Sequence, residues 1–252
     1  MLHCIIIPTY NNHRTVADIV RRSLAVCPHV VVVNDGSSDD TLKRLEPFKD
    51  SIQLITYSRN RGKGYALRLG LSAAREAGYD FAVTIDSDGQ HSPEEMPILL
   101  EAALKAGTDK VMVVGNRFAS QSDPISGMPS GNSFANRFSN FWFHLQTGIR
   151  LTDTQSGYRL YPLHHLPCLG FITRRYESEL ELLVFSAWRG VKLVSVPVSV
   201  SYPADRVSHF RPFLDFFRIS VLNTLLCIAA LLYGYPRMWL TKALNTKHLT
   251  QQ

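Results

Sequence analysis

Asp86 and Asp88 stand one residue apart at the end of an apolar run, Phe81-Ala82-Val83-Thr84-Ile85, and Gln90 follows two positions later. Two carboxylates and an amide oxygen make a hard-oxygen donor set. Mg²⁺ is usually held by one or two such carboxylates together with substrate phosphates, and Mn²⁺ takes similar ligands. On a continuing strand alternate residues share a face, so both carboxylates would point the same way. The C-terminal end of a strand is also where open α/β sheets bind ligands. The competing reading is a solvated acidic turn ahead of the helix start at Ser92-Pro93-Glu94-Glu95.

Other strand ends carry chemistry as well. In Pro8-Thr9-Tyr10-Asn11-Asn12 a tyrosine ring can lie beside a nucleobase, and Asp35 in Asn34-Asp35-Gly36-Ser37 can accept a base imino N–H. Arg59-Asn60-Arg61-Gly62-Lys63-Gly64 is basic and glycine-rich. It is not a Walker A loop, because no Ser or Thr follows the Gly-Lys pair, and no G-x-G-x-x-G follows a strand. A dinucleotide oxidoreductase is therefore disfavoured.

The elements that must position these groups alternate. Short β-branched runs at 4–7, 30–33, 52–57, 81–85 and 111–114 are separated by helical spacings such as Val16, Ile19, Val20 and Leu24. That alternation implies βαβ units and a mostly parallel sheet. Val194, Val196, Val198 and Val200 mark a further strand, which Pro197 places at an edge. Residues 132–147 read as a helix whose stripe of Phe134, Phe138, Phe141, Trp142 and Leu145 is expected for the most part to pack in the core, a lipid-facing groove being the alternative. Residues 120–131, rich in Ser, Gly and Pro, read as a mobile loop over the site.

The longer string Asp86-Ser87-Asp88-Gly89-Gln90-His91-Ser92-Pro93-Glu94 resembles glycosyltransferase family 2, and within it the dolichyl-phosphate mannose synthase branch. The resemblance covers roughly residues 3 to 202. It implies an α/β GT-A (Rossmann-like) fold, a UDP- or GDP-hexose donor, and inversion at the sugar. It also implies Mg²⁺ or Mn²⁺ on Asp86, Asp88 and Gln90. By the same resemblance Pro8, Thr9, Tyr10, Asn12, Asp35, Gly62, Lys63 and Asp86 bound the nucleotide. Gly115-Asn116-Arg117 takes the place of a Gly-Thr-Arg segment whose arginine approaches the diphosphate. Asp153-Thr154-Gln155-Ser156-Gly157-Tyr158-Arg159 matches a sugar-side segment, with Asp153 and Gln155 as the expected contacts.

The acceptor side is read from chemistry. An alcohol needs a general base, whereas a polyprenyl monophosphate is already anionic. Arg206, His209 and Arg211 lie beside an apolar run at 219–236 and suit a lipid phosphate. There is no Gln-x-x-Arg-Trp string of the processive synthases. The alternative is transfer to a neutral lipid or glycan hydroxyl, with Glu179 or Asp153 as base. About 18 uncharged residues is near the lower limit for crossing a bilayer, so the tail either spans once or lies at the surface. The expected organisation is thus a transferase domain at 1–203 and a membrane-associating tail at 204–252, on the cytoplasmic face.

Composition bounds the rest. With 252 residues, 45% apolar and 19% charged, the chain can bury a full core. A formal charge of +6 suits an anionic partner. Nucleic acid is the non-enzymatic alternative, but the basic residues follow no nucleic-acid motif. Cys4, Cys27, Cys168 and Cys227 are scattered, which disfavours a zinc site or a disulfide framework, and no signal peptide is expected.

Overall fold

The computed structural model describes residues 1–119, 130–166, 173, 175, 177–201 and 212–240, the side chains at 130–133 and 212–216 excepted. Of the loop expected at 120–131, residues 120–129 lie outside that set, as do Arg206, His209 and Arg211, while Ser130 and Gly131 already belong to a helix. The strands are β1 (His3–Thr9), β2 (Val30–Asn34), β3 (Gln53–Thr56), β4 (Phe81–Thr84), β5 (Val111–Asn116), β6 (Arg159–Pro162) and β7 (Lys192–Pro197). The helices are α1 (Val16–Val26), α2 (Thr41–Leu45), α3 (Lys63–Glu76), α4 (Met96–Lys105), α5 (Ser130–Thr147), α6 (Glu177–Trp188) and α7 (Pro212–Ala229).

Among the described residues the strands form one sheet in the order β3-β2-β1-β4-β6-β5-β7. The parallel strands are linked by helical crossovers, as parallel pairing requires. Alternation along each strand divides the core between two faces. Ile5, Ile7, Val30 and Val32 pack under α1 and α4. Cys4, Ile6, Val31 and Val33 pack under α3, with α5, α6 and α7 completing that layer. β1 pairs with β2 on one side and β4 on the other, so the chain reverses its direction of spread between β1 and β4. Ligands of open α/β sheets bind at such a reversal.

β6 was not among the strands read from sequence. It runs antiparallel between β4 and β5, with Thr84 opposite Arg159 and Val114 opposite Arg159 on the other side. Because of that direction the residues before β6, from Asp153 to Tyr158, arrive at the edge where β1, β4 and β5 end. β7 is at the sheet edge, where Pro197 is tolerated.

α5 corrects the expectation for its aromatic stripe. Phe134 and Phe141 are each 60% exposed and Leu145 is also exposed, while Phe143, Asn136, Ser139, Gln146 and Thr147 are buried. The helix turns its more polar face inward because that face holds the segment leading into β6. Asn136 and Asn140 Nδ2 each donate to the Thr152 carbonyl at 2.8 Å, and Thr154 Oγ1 donates to Ser139 Oγ at 2.8 Å.

α7 continues through a π-helical turn, Ala230–Gly234, and the apolar helical stretch runs Phe217–Leu240. It is long and apolar enough to cross a membrane by length and composition. One side nonetheless packs against α5 and α6. Leu222, Leu226 and Ala230 are in the core, and Gln146 Nε2 donates to Asn223 Oδ1 at 3.0 Å. A Cβ on Gly234 would lie 2.5 Å from the Trp188 ring, so only glycine admits this approach. The other side leaves Leu225, Ile228, Leu231 and Leu232 exposed.

Candidate active site

The carboxylate pair does not sit on a strand. β4 ends at Thr84, and Asp86-Ser87-Asp88-Gly89 forms a turn. Ser87 is the inward residue. Its Oγ donates to Thr9 Oγ1 at 3.0 Å and accepts from Asn12 Nδ2 at 2.8 Å, and its carbonyl accepts from Thr15 Oγ1. Asp86 and Asp88 flank it half-buried, so the shared accessibility expected of a strand is produced by a turn pinned at its middle. Asp88 Oδ1 accepts from the Gln90 backbone N–H at 3.0 Å. Asn12 therefore braces the turn, and Thr9 anchors it from β1.

Lys63, the first residue of α3, reaches into this turn. Its Nζ lies 2.8 Å from Asp86 Oδ1 and 3.2 Å from Glu179 Oε2. Burial alone would raise the Asp86 pKa, but the adjacent ammonium outweighs it and holds the carboxyl below its usual range. Gly157 lies behind this cluster. A Cβ there would meet Asp86 Oδ2 at 2.8 Å, Lys63 Nζ at 3.0 Å and Glu179 Oε1 at 3.2 Å. Its φ is not in the left-handed region, so Gly157→Ala probes only that close approach. The substitution should lower turnover about 10²-fold through displacement of the cluster, with little change in melting temperature. Parallel activity and thermal-unfolding measurements check this; undiminished turnover would mean that the cluster's positions do not matter.

Arg117 and Asp153 were expected to touch the diphosphate and the sugar separately. They are paired with each other. Arg117 Nε and Nη2 donate to Asp153 Oδ2 and Oδ1 at 2.7 and 2.9 Å, and the Arg117 backbone N–H adds a third bond at 3.1 Å. Such a planar fork is geometrically specific. Asp153 is buried, so it orients Arg117 at the end of β5. Gln155 Nε2 donates to the Ala135 carbonyl at 3.3 Å and ties the same segment to α5.

Asp35 is also engaged from within. Its carboxylate accepts from Tyr57 Oη at 2.8 Å, Asn60 Nδ2 at 3.0 Å, Arg61 N at 2.7 Å and Gly62 N at 2.8 Å. It folds the basic loop onto the end of β2 and sets the start of α3, and thereby the reach of Lys63. A base imino group would have to share or displace one of these donors. Pro8 is buried and Tyr10 half-buried at the end of β1.

Two positioning residues were not assigned a role from sequence. Arg159 is fully buried and donates to the carbonyls of Ser156 (2.7 Å), Thr154 (2.8 Å) and Glu179 (2.8 Å), joining the sugar-side segment to α6. His91 stacks on Tyr158 at 5.2 Å, and burial pushes its pKa down to about 4, so it is neutral near pH 7. Its place in the Asp86–Glu94 string was the available signal.

The residues at the turn fit a divalent cation in their donor chemistry. Asp86, Asp88 and Gln90 offer only oxygen from their side-chain acceptors, and Asp86 already lies against a cationic group, the Lys63 ammonium. Among the described residues no group of three His, Cys, Asp or Glu side chains surrounds one point. A metal here would draw its remaining ligands from phosphates and water, which is the habit of Mg²⁺.

A profile described as Glycosyl transferase family 2 matches residues 4–170. The UDP-N-acetylglucosamine–dolichyl-phosphate N-acetylglucosaminyltransferase of Methanococcus voltae is 28% identical over 216 residues, covering 79% of this chain and 85% of that protein. The polyprenol monophosphomannose synthase of Mycolicibacterium smegmatis is 29% identical, covering 77% and 76% respectively. The same fold occurs in glucosyl-3-phosphoglycerate synthase of Mycobacterium tuberculosis, solved with Mn²⁺, UDP-glucose and phosphoglyceric acid. Its TM-score is 0.63 at 19% identity, over 91% of this chain and 79% of that one.

Proposed function

The chain belongs to glycosyl transferase family 2, and from that premise we propose that it moves a hexose from a UDP- or GDP-activated donor to a polyprenyl phosphate. It does so with inversion, at the cytoplasmic face of a membrane. Its general activity, glycosyl transfer, follows from the family.

The observation that carries the acceptor assignment is the state of the two candidate bases. Glu179 is paired with Lys63 and Asp153 with Arg117. Taking up an acceptor proton would cost either carboxylate its ion pair. A hydroxyl acceptor is therefore poorly served, while a phosphate monoester needs no base. The named activities of the archaeal and mycobacterial relatives support the same reading.

Asp86, Asp88 and Gln90 would hold Mg²⁺ or Mn²⁺, which when bound supplies Lewis-acid stabilisation of the departing diphosphate. Lys63 and Arg117 add fixed positive charge where that negative charge develops, and their partners keep them from moving as it does. Tyr10, Asp35 and Gly62 frame the base end. Arg206, His209 and Arg211, just ahead of α7, would approach the acceptor phosphate.

For the membrane, α7 supports an in-plane attachment. A helix that gives Leu222, Leu226 and Ala230 to the domain core cannot also stand alone across a bilayer. Its outer row and the outer face of α5, with Phe134 and Phe141, suit insertion into one leaflet.

Transfer assays with radiolabelled UDP- and GDP-sugars test the function. Polyprenyl phosphate should be glycosylated in a metal-dependent reaction and free polyprenol should not. Equal use of the two lipids would overturn the phosphate assignment.

A further inference from the structure

The formal charge of +6 is not spread over the chain. Residues 130–152, which are α5 and its exit, and residues 217–252, from the start of the apolar stretch onward, contain six of the 27 lysines and arginines and none of the 21 acids. The remainder holds 21 of each and is neutral. Asp153 and Asp215 border the two segments, and Asp153 is buried against Arg117. These same segments carry the exposed apolar side chains of α5 and α7. We propose that the face they form docks on an anionic leaflet, its apolar rows against the acyl chains and its arginines among the lipid phosphates. The assignment rests on the in-plane attachment proposed above and names the lipid charge that this attachment selects.

The two segments make one surface. Tyr235 Oη donates to the Leu145 carbonyl, and Gln146 Nε2 donates to Asn223 Oδ1 at 3.0 Å, so α5 and the continuation of α7 lie side by side. Phe141 and Leu145 are exposed on the one, and Ile228, Leu231 and Leu232 on the other.

The cations are placed where headgroups would be. Arg137 is exposed three residues after Phe134 and four before Phe141, on the same side of α5. Arg150 is exposed just past the end of that helix. Arg237 is exposed too, and its guanidinium lies 5.6 Å from the Tyr233 ring centroid. Tyr233, Tyr235 and Trp239 are exposed as well, and these aromatic types sit at headgroup level. An arginine reaches phosphate depth while its methylenes lie along apolar surface.

Charge also decides between occupants. A second copy would set the same cations against each other, with no acid in either segment to pair them. A nucleic acid would leave the leucines facing phosphate and water. An anionic leaflet satisfies both halves of the face, and each Lys or Arg near such a surface strengthens binding about fivefold.

The test is flotation of the full chain with vesicles of phosphatidylcholine alone and of phosphatidylcholine mixed with phosphatidylglycerol. At low salt the wild type should bind the mixed vesicles roughly a hundredfold more tightly. High salt should bring the two affinities together and leave the apolar attachment. The double variant Arg137→Gln, Arg150→Gln should lose roughly 10- to 30-fold on mixed vesicles and stay within about twofold on phosphatidylcholine. Arg137→Lys with Arg150→Lys should bind as the wild type does, because a leaflet reads charge rather than a guanidinium fork. Arg150→Gln alone, with an expected loss of about fivefold, serves if the double variant does not fold. Equal wild-type binding to both vesicles at low salt would overturn the proposal, as would a double glutamine variant that keeps the full preference. Retention on duplex DNA without preference for mixed vesicles would make this a nucleic-acid surface instead. Failure to float with either vesicle is a different result, because it removes the membrane attachment itself.

Discussion

Asp88→Asn should reduce transfer by roughly 10²–10³-fold while leaving the protein folded, the scale seen when one preorganised electrostatic group is removed from a developing charge. The substitution keeps an oxygen able to accept from the Gln90 N–H, the contact that shapes the turn. What it removes is a negative charge. The other acidic group of the pair, Asp86, lies against Lys63, so a divalent cation held here would lose one of its two carboxylates. EDTA should silence the wild type in the same way, with recovery on adding Mn²⁺ or Mg²⁺. Circular dichroism and thermal unfolding separate this from misfolding. Full activity of Asp88→Asn, or of wild type in excess EDTA, would refute the metal assignment.

The second large effect concerns the membrane. The double variant Leu231→Asp, Leu232→Asp should release the protein from lipid vesicles. The wild-type side chains are 70% and 78% exposed, so the domain core is not disturbed. Burying a leucine in an apolar phase contributes about 1.5–3 kcal/mol. Losing two therefore weakens partitioning by roughly 10²- to 10⁴-fold, before the cost of the new charges. Vesicle flotation in high salt is the measurement, since salt screens a purely electrostatic attachment. Continued flotation of the variant would exclude the outer row of α7 as the anchor. Deleting α7 is not an equivalent experiment. It would strip Leu222, Leu226 and Ala230 from the core and uncover Trp188.

Much of this arrangement was legible beforehand, for local reasons. Strand runs, helical spacings and the Asp86–Glu94 string are patterns within a few residues, and they mark the parallel half of the sheet and the carboxylate turn. Ion pairs between distant segments are not written in any local pattern. Nothing near Lys63 points to Glu179, and nothing near Arg117 points to Asp153. β6 escaped because Arg159-Leu160-Tyr161-Pro162 is buried on both faces and too short to show alternation. The outward turn of much of the α5 stripe has a related reason. Phe134, Phe138, Phe141, Trp142 and Leu145 have the spacing of a core face. The domain instead needed the amides on the opposite face to hold the Thr152 carbonyl.

The insertion of β6 has a consequence for how the chain is made. On a ribosome, β1 to β4 emerge in an order that lets each join the growing sheet, β1 to β2, β2 to β3, β1 to β4. β5 emerges next and finds no place, because its neighbours are β6 and β7. At the usual rate of about 5–20 residues per second, the interval until Pro162 is synthesised lasts roughly 2–10 s. Throughout it Val111-Met112-Val113-Val114, apolar and β-prone, is an unpaired strand, and such segments recruit other chains. The nucleotide half can thus be assembled while the half bearing Arg117 and Asp153 still waits. The hazard for the nascent protein lies in that interval, and α4, already synthesised and bearing Leu99 and Ala103 that pack with Val111 and Val113, is the material at hand to cover one face of β5.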